Sequence, residues 1–304
     1  MFSHIFGNDL LKSYLKKAIG ENRLAQTLLF AGLDGIGKNL FARAIAKALL
    51  GSDHSPDMHV YAPEGKSGLY AIDTLREMID KEHSAPFEAA HKVFILEDVE
   101  RMQPASANAL LKTLEEPTVD TTFLLLTSNL NEILPTILSR CTTLHFQPLS
   151  EEAIGALLKG KGYPIHLAKI AHGSARRALE LIEHPEFEEQ RKILFDLLAK
   201  KPSYPELSLQ LAKLDEKEED PIKAAKQIDH LFSSILMWHR DQHVRQMGGR
   251  NELLFFPDEQ GSEPVPLTII EKAIERARMA IQRNIKLSVV LTEVCLTRPI
   301  SGAA

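Results

Sequence analysis

A glycine-rich segment has the residue types and spacing of a phosphate-binding loop: Gly32-Leu33-Asp34-Gly35-Ile36-Gly37-Lys38-Asn39. Two glycines bracket four residues, so backbone N–H groups can curl around phosphate oxygens, and the lysine that follows can reach the β- and γ-phosphates. Asn39 stands where the pattern has Ser or Thr, whose hydroxyl coordinates Mg²⁺. The motif predicts a nucleotide site with an altered metal position, formed by Gly32, Gly35, Gly37, Lys38 and Asn39. A glycine turn without a ligand is the alternative.

Two carboxylates, Glu97 and Asp98, follow the apolar run Val93–Leu96. In active ATPases with this loop, Asp normally comes first and holds the Mg²⁺ shell, and the Glu that follows orients the attacking water. The reversed order displaces each carboxylate by about 1 Å, and an error of that size can cost on the order of 10²-fold in rate. Together with Asn39, these acids predict nucleotide binding with little or no hydrolysis. Two exposed acids after a buried strand are the alternative.

Two further polar residues are candidates for the same site. Asn129 ends a strand, where an amide can hydrogen-bond a γ-phosphate or a water, although an ordinary strand-end turn is favoured on spacing alone. Arg176 lies at the start of a helix and can lean back onto a phosphate across a domain boundary. For Arg176, a solvated first turn of a helix is the alternative.

Arg140 is a candidate for a different role. It lies between a short helix and a strand in the triplet Ser139-Arg140-Cys141. An exposed arginine at such a place can reach the nucleotide of a neighbouring subunit and stabilise charge in the transition state. Taken alone, an ordinary surface arginine is the simpler interpretation.

Apolar runs and helical segments alternate over the first half of the chain. Strands are predicted at Thr27–Ala31, His59–Ala62, Val93–Leu96, Thr122–Thr127 and Thr142–Phe146, and helices at Leu40–Leu50, Ile72–Ile79, Ala105–Glu116 and Leu134–Leu138. The strand runs are continuously apolar rather than alternating, which indicates burial on both faces and hence a parallel sheet covered by helices.

Only helical periodicity is found after Ser150, a residue type favoured at helix N-caps. A linker is expected at Lys200–Pro205, and further breaks at Gly248-Gly249 and Pro257–Pro266. The last helix is expected to run from about Leu267 to Leu296.

Composition excludes several classes of protein. The 304 residues carry 36 Lys and Arg against 41 Asp and Glu, and this net charge of −5 argues against a protein that coats nucleic acid alone. Two cysteines are too few for a disulfide framework or a four-cysteine zinc site. No apolar run approaches the roughly 20 residues that span a bilayer. We therefore expect a cytoplasmic protein without a membrane or zinc role, and we expect no metal at His54, Asp57 and His59.

The order of these motifs resembles the clamp-loader branch of the AAA+ proteins. The resemblance is carried by Lys38, the strand before Glu97-Asp98, the stretch Asn108–Pro117, Leu126–Asn129 and Ser139-Arg140-Cys141. It is dense over residues 1–150, thinner around Gly173 and weak beyond about residue 205.

The resemblance implies an α/β fold with three domains: a RecA-like P-loop domain at 1–147, a small helical lid at 148–203 and an all-α collar at 204–304 that assembles a pentameric ring. It implies gamma/tau and delta subunits, the sliding beta clamp and primed DNA as partners, and ATP or ADP with Mg²⁺ as ligands. Arg140 is then the trans-acting arginine finger and Arg176 the sensor arginine of the lid. The first sensor is Thr127–Asn129, and Lys112 lies near DNA in the ring interior.

Three functions are compatible with these motifs. The leading hypothesis is a non-hydrolysing ring subunit of a replicative DNA polymerase holoenzyme, which supplies Arg140 to a neighbouring ATPase. The second is an active ATPase motor, either a gamma/tau-like subunit or a helicase loader, which Asn39, Glu97 and Asp98 disfavour. A small-molecule P-loop kinase leaves the helical half after Pro148 unexplained.

Overall fold

The chain folds into two compact units, Met1–Leu179 and Glu180–Ala304. The computed structural model describes residues 1–63, 69–165, 167–200, 203–214, 221–257, 259, 261, 265–283 and 285–297. Within this part of the chain, no helix is both long enough and apolar enough to cross a membrane.

The first unit is built on a five-stranded sheet. Its strands are β1 (Thr27–Ala31), β2 (Met58–Tyr61), β3 (Lys92–Leu96), β4 (Thr121–Thr127) and β5 (Thr142–His145). They lie in the order β2-β3-β4-β1-β5, and each neighbouring pair is parallel. Strands β1, β3 and β4 are buried along their whole length, whereas the edge strands β2 and β5 are partly exposed. The predicted parallel sheet is confirmed.

The helices of the first unit follow the predicted alternation. They are α1 (Asp9–Gly20), α2 (Lys38–Leu50), α3 (Ile72–His83), α4 (Pro104–Glu115), α5 (Pro135–Leu138), α6 (Glu151–Gly160) and α7 (Leu167–Ile170), and α8 (Ala175–Glu183) runs into the second unit. Pro104 occupies the first turn of α4, where its missing N–H is tolerated. Glu116 leaves the helical region because Pro117 follows it. Ser150 caps α6, as predicted, by accepting a hydrogen bond from the Ala153 N–H at 3.2 Å.

One face of the sheet is covered by α3, α4 and α5. Side chains from β1, β3 and β4 pack there against apolar residues of the three helices, and this core cluster includes Leu29, Phe94, Phe123, Leu75, Met78, Leu110, Leu114 and Ile137. Burying this face fixes α4 and α5 on the sheet.

Every regular element that the structure describes in the second unit is a helix. Beyond the end of α8 the unit contains α9 (Glu186–Lys200), α10 (Tyr204–Leu211), α11 (Pro221–Gln246), α12 (Leu267–Gln282) and α13 (Leu287–Cys295). The expected linker at 200–205 contains residues 201 and 202, which lie outside the described residues.

The prediction of one helix from Leu267 to Leu296 is wrong. The chain leaves the helix after Gln282, where the N–H groups of Arg283 and Ile285 both donate to the Ala280 carbonyl, at 3.0 and 3.1 Å. The helix resumes at Leu287, after Lys286 in extended conformation. An apolar period that continues across a break of this kind does not reveal the break.

Candidate nucleotide site

The residues predicted to bind nucleotide follow the carboxyl ends of the strands. In the register of the strands, Ala31 of β1 pairs with Thr127 of β4, and Leu96 of β3 pairs with Leu125 of β4. The glycine-rich loop therefore leaves the sheet beside the end of β4 and one strand away from Glu97. Ligands of open parallel sheets bind at this edge, outside the carboxyl ends of the strands.

The loop between β1 and α2 has the conformation that a phosphate cradle requires. Gly35 and Gly37 have φ angles of +75° and +96°, in the left-handed region that favours glycine. A Cβ at Gly32 would lie 2.6 Å from the Phe146 carbonyl oxygen, so only glycine fits there. Because α2 begins at Lys38, its first N–H groups and its dipole are available to an anion held by the loop.

Lys38 folds back over this loop. Its Nζ donates to the carbonyl oxygens of Gly32 at 2.6 Å and Leu33 at 2.7 Å, and the residue is 8% exposed. Burial lowers the pKa of the Lys38 ammonium, while the charges of Asp34, Glu100 and Asp98 act in the opposite direction. A phosphate group entering the loop can replace these carbonyls as the partner of the ammonium.

Asn39 is bonded to Glu97. Its Nδ2 donates to Glu97 Oε1, and its Oδ1 accepts from Arg43 Nε at 2.8 Å. Both partners fix the amide orientation, because Arg43 can only donate and an ionised carboxylate can only accept. The amide nitrogen therefore faces the carboxylate, and the amide oxygen, the atom of this side chain that can ligate a metal, is held by Arg43.

The loop thus fits a phosphate, but the arrangement does not fit a Mg²⁺ shell. The two groups at the metal-binding positions satisfy each other, whereas Mg²⁺ needs oxygen ligands directed at a common point. Among the described residues, no group of three or more His, Cys, Asp or Glu side chains is arranged to hold a metal ion.

Asp98 lies at a turn beside a third acid, Glu100, which sequence analysis missed. Asp98 has φ +49°, and burial raises the pKa of its carboxyl, with the charges of Glu100 and Asp34 adding to the rise. Glu100 Oε1 accepts from the N–H of Ser128 at 3.0 Å and from its hydroxyl at 2.5 Å. Burial acts to raise the pKa of Glu100, but hydrogen bonds including those from Ser128 and Thr127 outweigh it and lower the pKa. The signal in the sequence that could have revealed Glu100 is its position two residues after the pair Glu97 and Asp98.

The Asn129 amide is used within its own turn. Its Oδ1 accepts from the Asn131 N–H at 3.2 Å, and its Nδ2 donates to Glu132 Oε1 at 2.7 Å. Thr127, which is fully buried, accepts from the Asn129 N–H through its hydroxyl at 3.1 Å. In this conformation the amide stabilises the strand-end turn, and its predicted contact with a nucleotide stays a prediction.

Arg176 lies beside the phosphate loop. Its Nη1 donates to Asp34 Oδ2 at 2.9 Å. The N–H groups of Ala175 and Arg176 both donate to the Gly35 carbonyl, at 3.0 and 3.3 Å. The first turn of α8 therefore rests on the loop, and the structure brings this candidate to the nucleotide site.

Arg140 is engaged at α4 and α5. Its Nε and Nη2 donate to Glu115 Oε2 at 3.0 and 2.7 Å, and its Nη1 donates to the Thr136 carbonyl at 3.0 Å. Lys112 is an exposed residue of α4, one turn before Glu115.

Comparison with known proteins gives consistent matches. The family model described as DNA polymerase III, delta subunit, matches residues 7–150. The chain is 33% identical over 199 residues to DNA polymerase III subunit delta' of Bacillus subtilis, covering 58% of this chain and 60% of that protein. It is 31% identical over 210 residues to DNA polymerase III subunit gamma of Buchnera aphidicola, covering 60% of this chain and 58% of that protein. The chain therefore spans about three fifths of the length of these curated relatives.

A solved structure has the same fold. A DNA polymerase III gamma subunit-related protein from Thermotoga maritima superposes with a TM-score of 0.50 at 18% identity, covering 92% of this chain and 97% of that chain. This likeness confirms the predicted fold class, an α/β P-loop unit followed by helical segments.

Proposed function

We propose that the chain is a clamp-loader subunit of DNA polymerase III, and within that family a stationary subunit of the delta-prime type, because the delta subunit model matches residues 7–150 and the delta' and gamma relatives are 31–33% identical. In this role it scaffolds the clamp-loader ring with gamma/tau and delta subunits while the sliding beta clamp is placed on primed DNA. It hydrolyses little or no ATP itself and supplies Arg140 to the ATP of a neighbouring subunit. Lys112 lies near the DNA, residues 148–203 act as a lid, and residues 204–304 act as the collar.

The observation that carries this proposal is the hydrogen bond between Asn39 and Glu97. In a hydrolysing site these two positions hold a metal ion, which neutralises charge on the transferred phosphoryl group. Here they hold each other, and Arg43 holds the remaining amide oxygen. Nucleotide can still be bound by the loop and Lys38, so the site keeps recognition and loses the means of hydrolysis.

The position of Arg140 supports its role in trans. Its guanidinium is a planar, permanently charged donor, which suits phosphate recognition. The side chain is 27% exposed, so part of it is accessible to a neighbouring subunit. An arginine supplied in this way contributes 10³- to 10⁵-fold in related phosphoryl-transfer enzymes.

An active gamma/tau-like motor is the second candidate, because Lys38 is retained and the relatives include gamma subunits. The purified chain alone distinguishes the two. A stationary subunit shows no turnover above background, whereas turnover near 1 per second, at the lower edge of ordinary enzymes, establishes a motor. The measurement is release of phosphate from ATP with Mg²⁺ present, with Lys38→Ala as the control for contaminating ATPases.

A further inference from the structure

Two segments that are distant in sequence meet at one ion pair. Glu115 ends α4, and Arg140 follows α5, 25 positions later in the sequence. One carboxylate oxygen of Glu115 accepts from both Nε and Nη2 of Arg140, at 3.0 and 2.7 Å. The Thr136 carbonyl and the Ser139 hydroxyl accept from Nη1, at 3.0 and 3.4 Å.

Both sides of this pair are attached to the core. Leu110 and Leu114 of α4 and Ile137 of α5 are buried in the cluster that covers one face of the sheet. Cys141 packs against the same cluster, and burial raises the pKa of its thiol to about 12, so it acts as a small apolar anchor. The guanidinium is therefore held between two elements that do not shift independently of the sheet.

The pair contributes little to stability. Glu115 is 57% exposed and Arg140 27% exposed, and ion pairs this accessible are worth about 0.2–1 kcal/mol. Its effect is to restrict a long side chain that otherwise samples many rotamers. An arginine that is already ordered loses less conformational entropy when it binds a phosphate.

We propose that Glu115 is a positioning residue for Arg140, which it holds ready for the triphosphate of the neighbouring subunit; this inference rests on the proposed function. Nη2 carries a second N–H beyond the one directed at Glu115, and the 3.4 Å contact of Nη1 with Ser139 is long enough to be exchanged. A phosphate oxygen can thus be bound while the contact with Glu115 persists.

The test uses the complex reconstituted with gamma/tau and delta subunits and compares Glu115→Gln, Arg140→Ala and the double variant. Glu115→Gln lowers kcat for ATP about 3- to 10-fold, the effect of leaving one flexible side chain unordered. KM for ATP stays within about twofold, because the neighbouring subunit binds the nucleotide.

In the Arg140→Ala background, Glu115→Gln has no further effect, since a positioning residue acts only through the group it positions. Glu116→Gln, at the exposed neighbouring residue, leaves kcat unchanged.

The outcomes separate the two claims. If Arg140→Ala lowers turnover but Glu115→Gln leaves it unchanged, raises it, or adds to the loss in the double variant, the positioning role is refuted and the proposed function survives. If Arg140→Ala itself leaves turnover unchanged, both are refuted. Thermal unfolding of each isolated variant, expected to match the wild type, shows that a loss of turnover does not come from loss of the fold.

Discussion

Asn39 replaces a hydroxyl by an amide, and the consequence extends to two other side chains. Its nitrogen binds Glu97 and its oxygen binds Arg43, so three residues form a closed polar contact where a metal site is expected. The sequence revealed the substitution and the reversed acids, because both are departures from a motif. It did not reveal the contact between them, because spacing along the chain places residues at a sheet edge without fixing their rotamers.

Lys38→Ala is expected to weaken nucleotide binding by the isolated chain at least about 10-fold, since a charge-assisted hydrogen bond contributes about 1.5–3 kcal/mol. Binding of a fluorescent ADP analogue measures the effect. Lys47→Ala is the matched control, because Lys47 is an exposed lysine of the same helix, paired with Asp53. Unchanged binding by Lys38→Ala shows that the nucleotide site lies elsewhere.

Asp57, which lies between His54 and His59 in the sequence, has a structural role. Its buried carboxylate accepts the backbone N–H groups of Phe87, Glu88 and Ala89, at 2.6, 2.8 and 2.7 Å. Burial acts to raise the pKa of Asp57, but the three hydrogen bonds outweigh it and lower the pKa below its ordinary value. The ionised group therefore stabilises the fold at neutral pH, and this contribution is lost as the pH falls through the lowered pKa.

Asp57→Asn is expected to lower the free energy of unfolding by about 2 kcal/mol at neutral pH, because an amide leaves backbone donors unsatisfied. The difference from the wild type begins to shrink below about pH 4, where the carboxyl of the unfolded wild-type chain becomes protonated, and it shrinks further as the pH falls through the lowered pKa of the folded state. Urea unfolding at neutral pH and below about pH 4 measures this difference in the free energy of unfolding. Asp53→Asn, at an exposed aspartate, is the control. A difference that does not depend on pH contradicts the assignment.

At the scale of elements, Gly35 connects the phosphate loop to α8. A Cβ at Gly35 would lie 2.2 Å from Ser174 Oγ and 2.5 Å from Arg176 Cβ. Gly51 has nearly the same φ, +78° against +75°, with nothing within 4 Å of an added Cβ. Comparing alanine at the two positions therefore separates the steric effect from the backbone effect.

Gly51→Ala is expected to destabilise the chain by about 1 kcal/mol, the effect of the left-handed backbone alone. Gly35→Ala is expected to destabilise the chain by about 1 kcal/mol or more beyond the effect of Gly51→Ala. It also weakens nucleotide binding, because the start of α8 is displaced from the loop. Thermal unfolding and ADP-analogue binding measure the two effects. Equal destabilisation by both variants contradicts the packing described for α8.

The elements themselves were largely predictable, because continuous apolar runs, a proline after Glu116 and a serine cap are local signals. The strand order β2-β3-β4-β1-β5 could not be predicted in this way, and neither could the contact of Arg176 with Asp34, which joins residues 142 positions apart. Pairings between distant residues leave no periodic pattern in one sequence. The break between α12 and α13 was missed for the opposite reason, since the apolar period continues across it.

At the scale of the whole molecule, the net charge of −5 disfavours DNA binding by the chain alone. We expect retention of primed DNA by the assembled complex and not by the isolated chain. In the complex, we expect Lys112→Ala to make the salt dependence of DNA binding shallower. The magnitude of the slope of log K for primed DNA against log salt concentration falls by about 1, as expected for one lost phosphate contact. Lys161→Ala, at an exposed lysine of the first unit, serves as the control. An unchanged slope places Lys112 away from DNA.

In the proposed function, this chain contributes to ATP hydrolysis through Arg140 and not through its own nucleotide site. ATP turnover by the reconstituted complex, measured with Arg140→Ala and with Lys38→Ala in this chain alone, tests it most directly. We predict a large loss of turnover at the neighbouring site with Arg140→Ala, because an arginine in trans contributes up to about 10³- to 10⁵-fold there, and little change with Lys38→Ala. The reverse result, an unaffected Arg140→Ala complex and an impaired Lys38→Ala complex, would refute the role of Arg140 in trans and assign hydrolysis to this chain's own site.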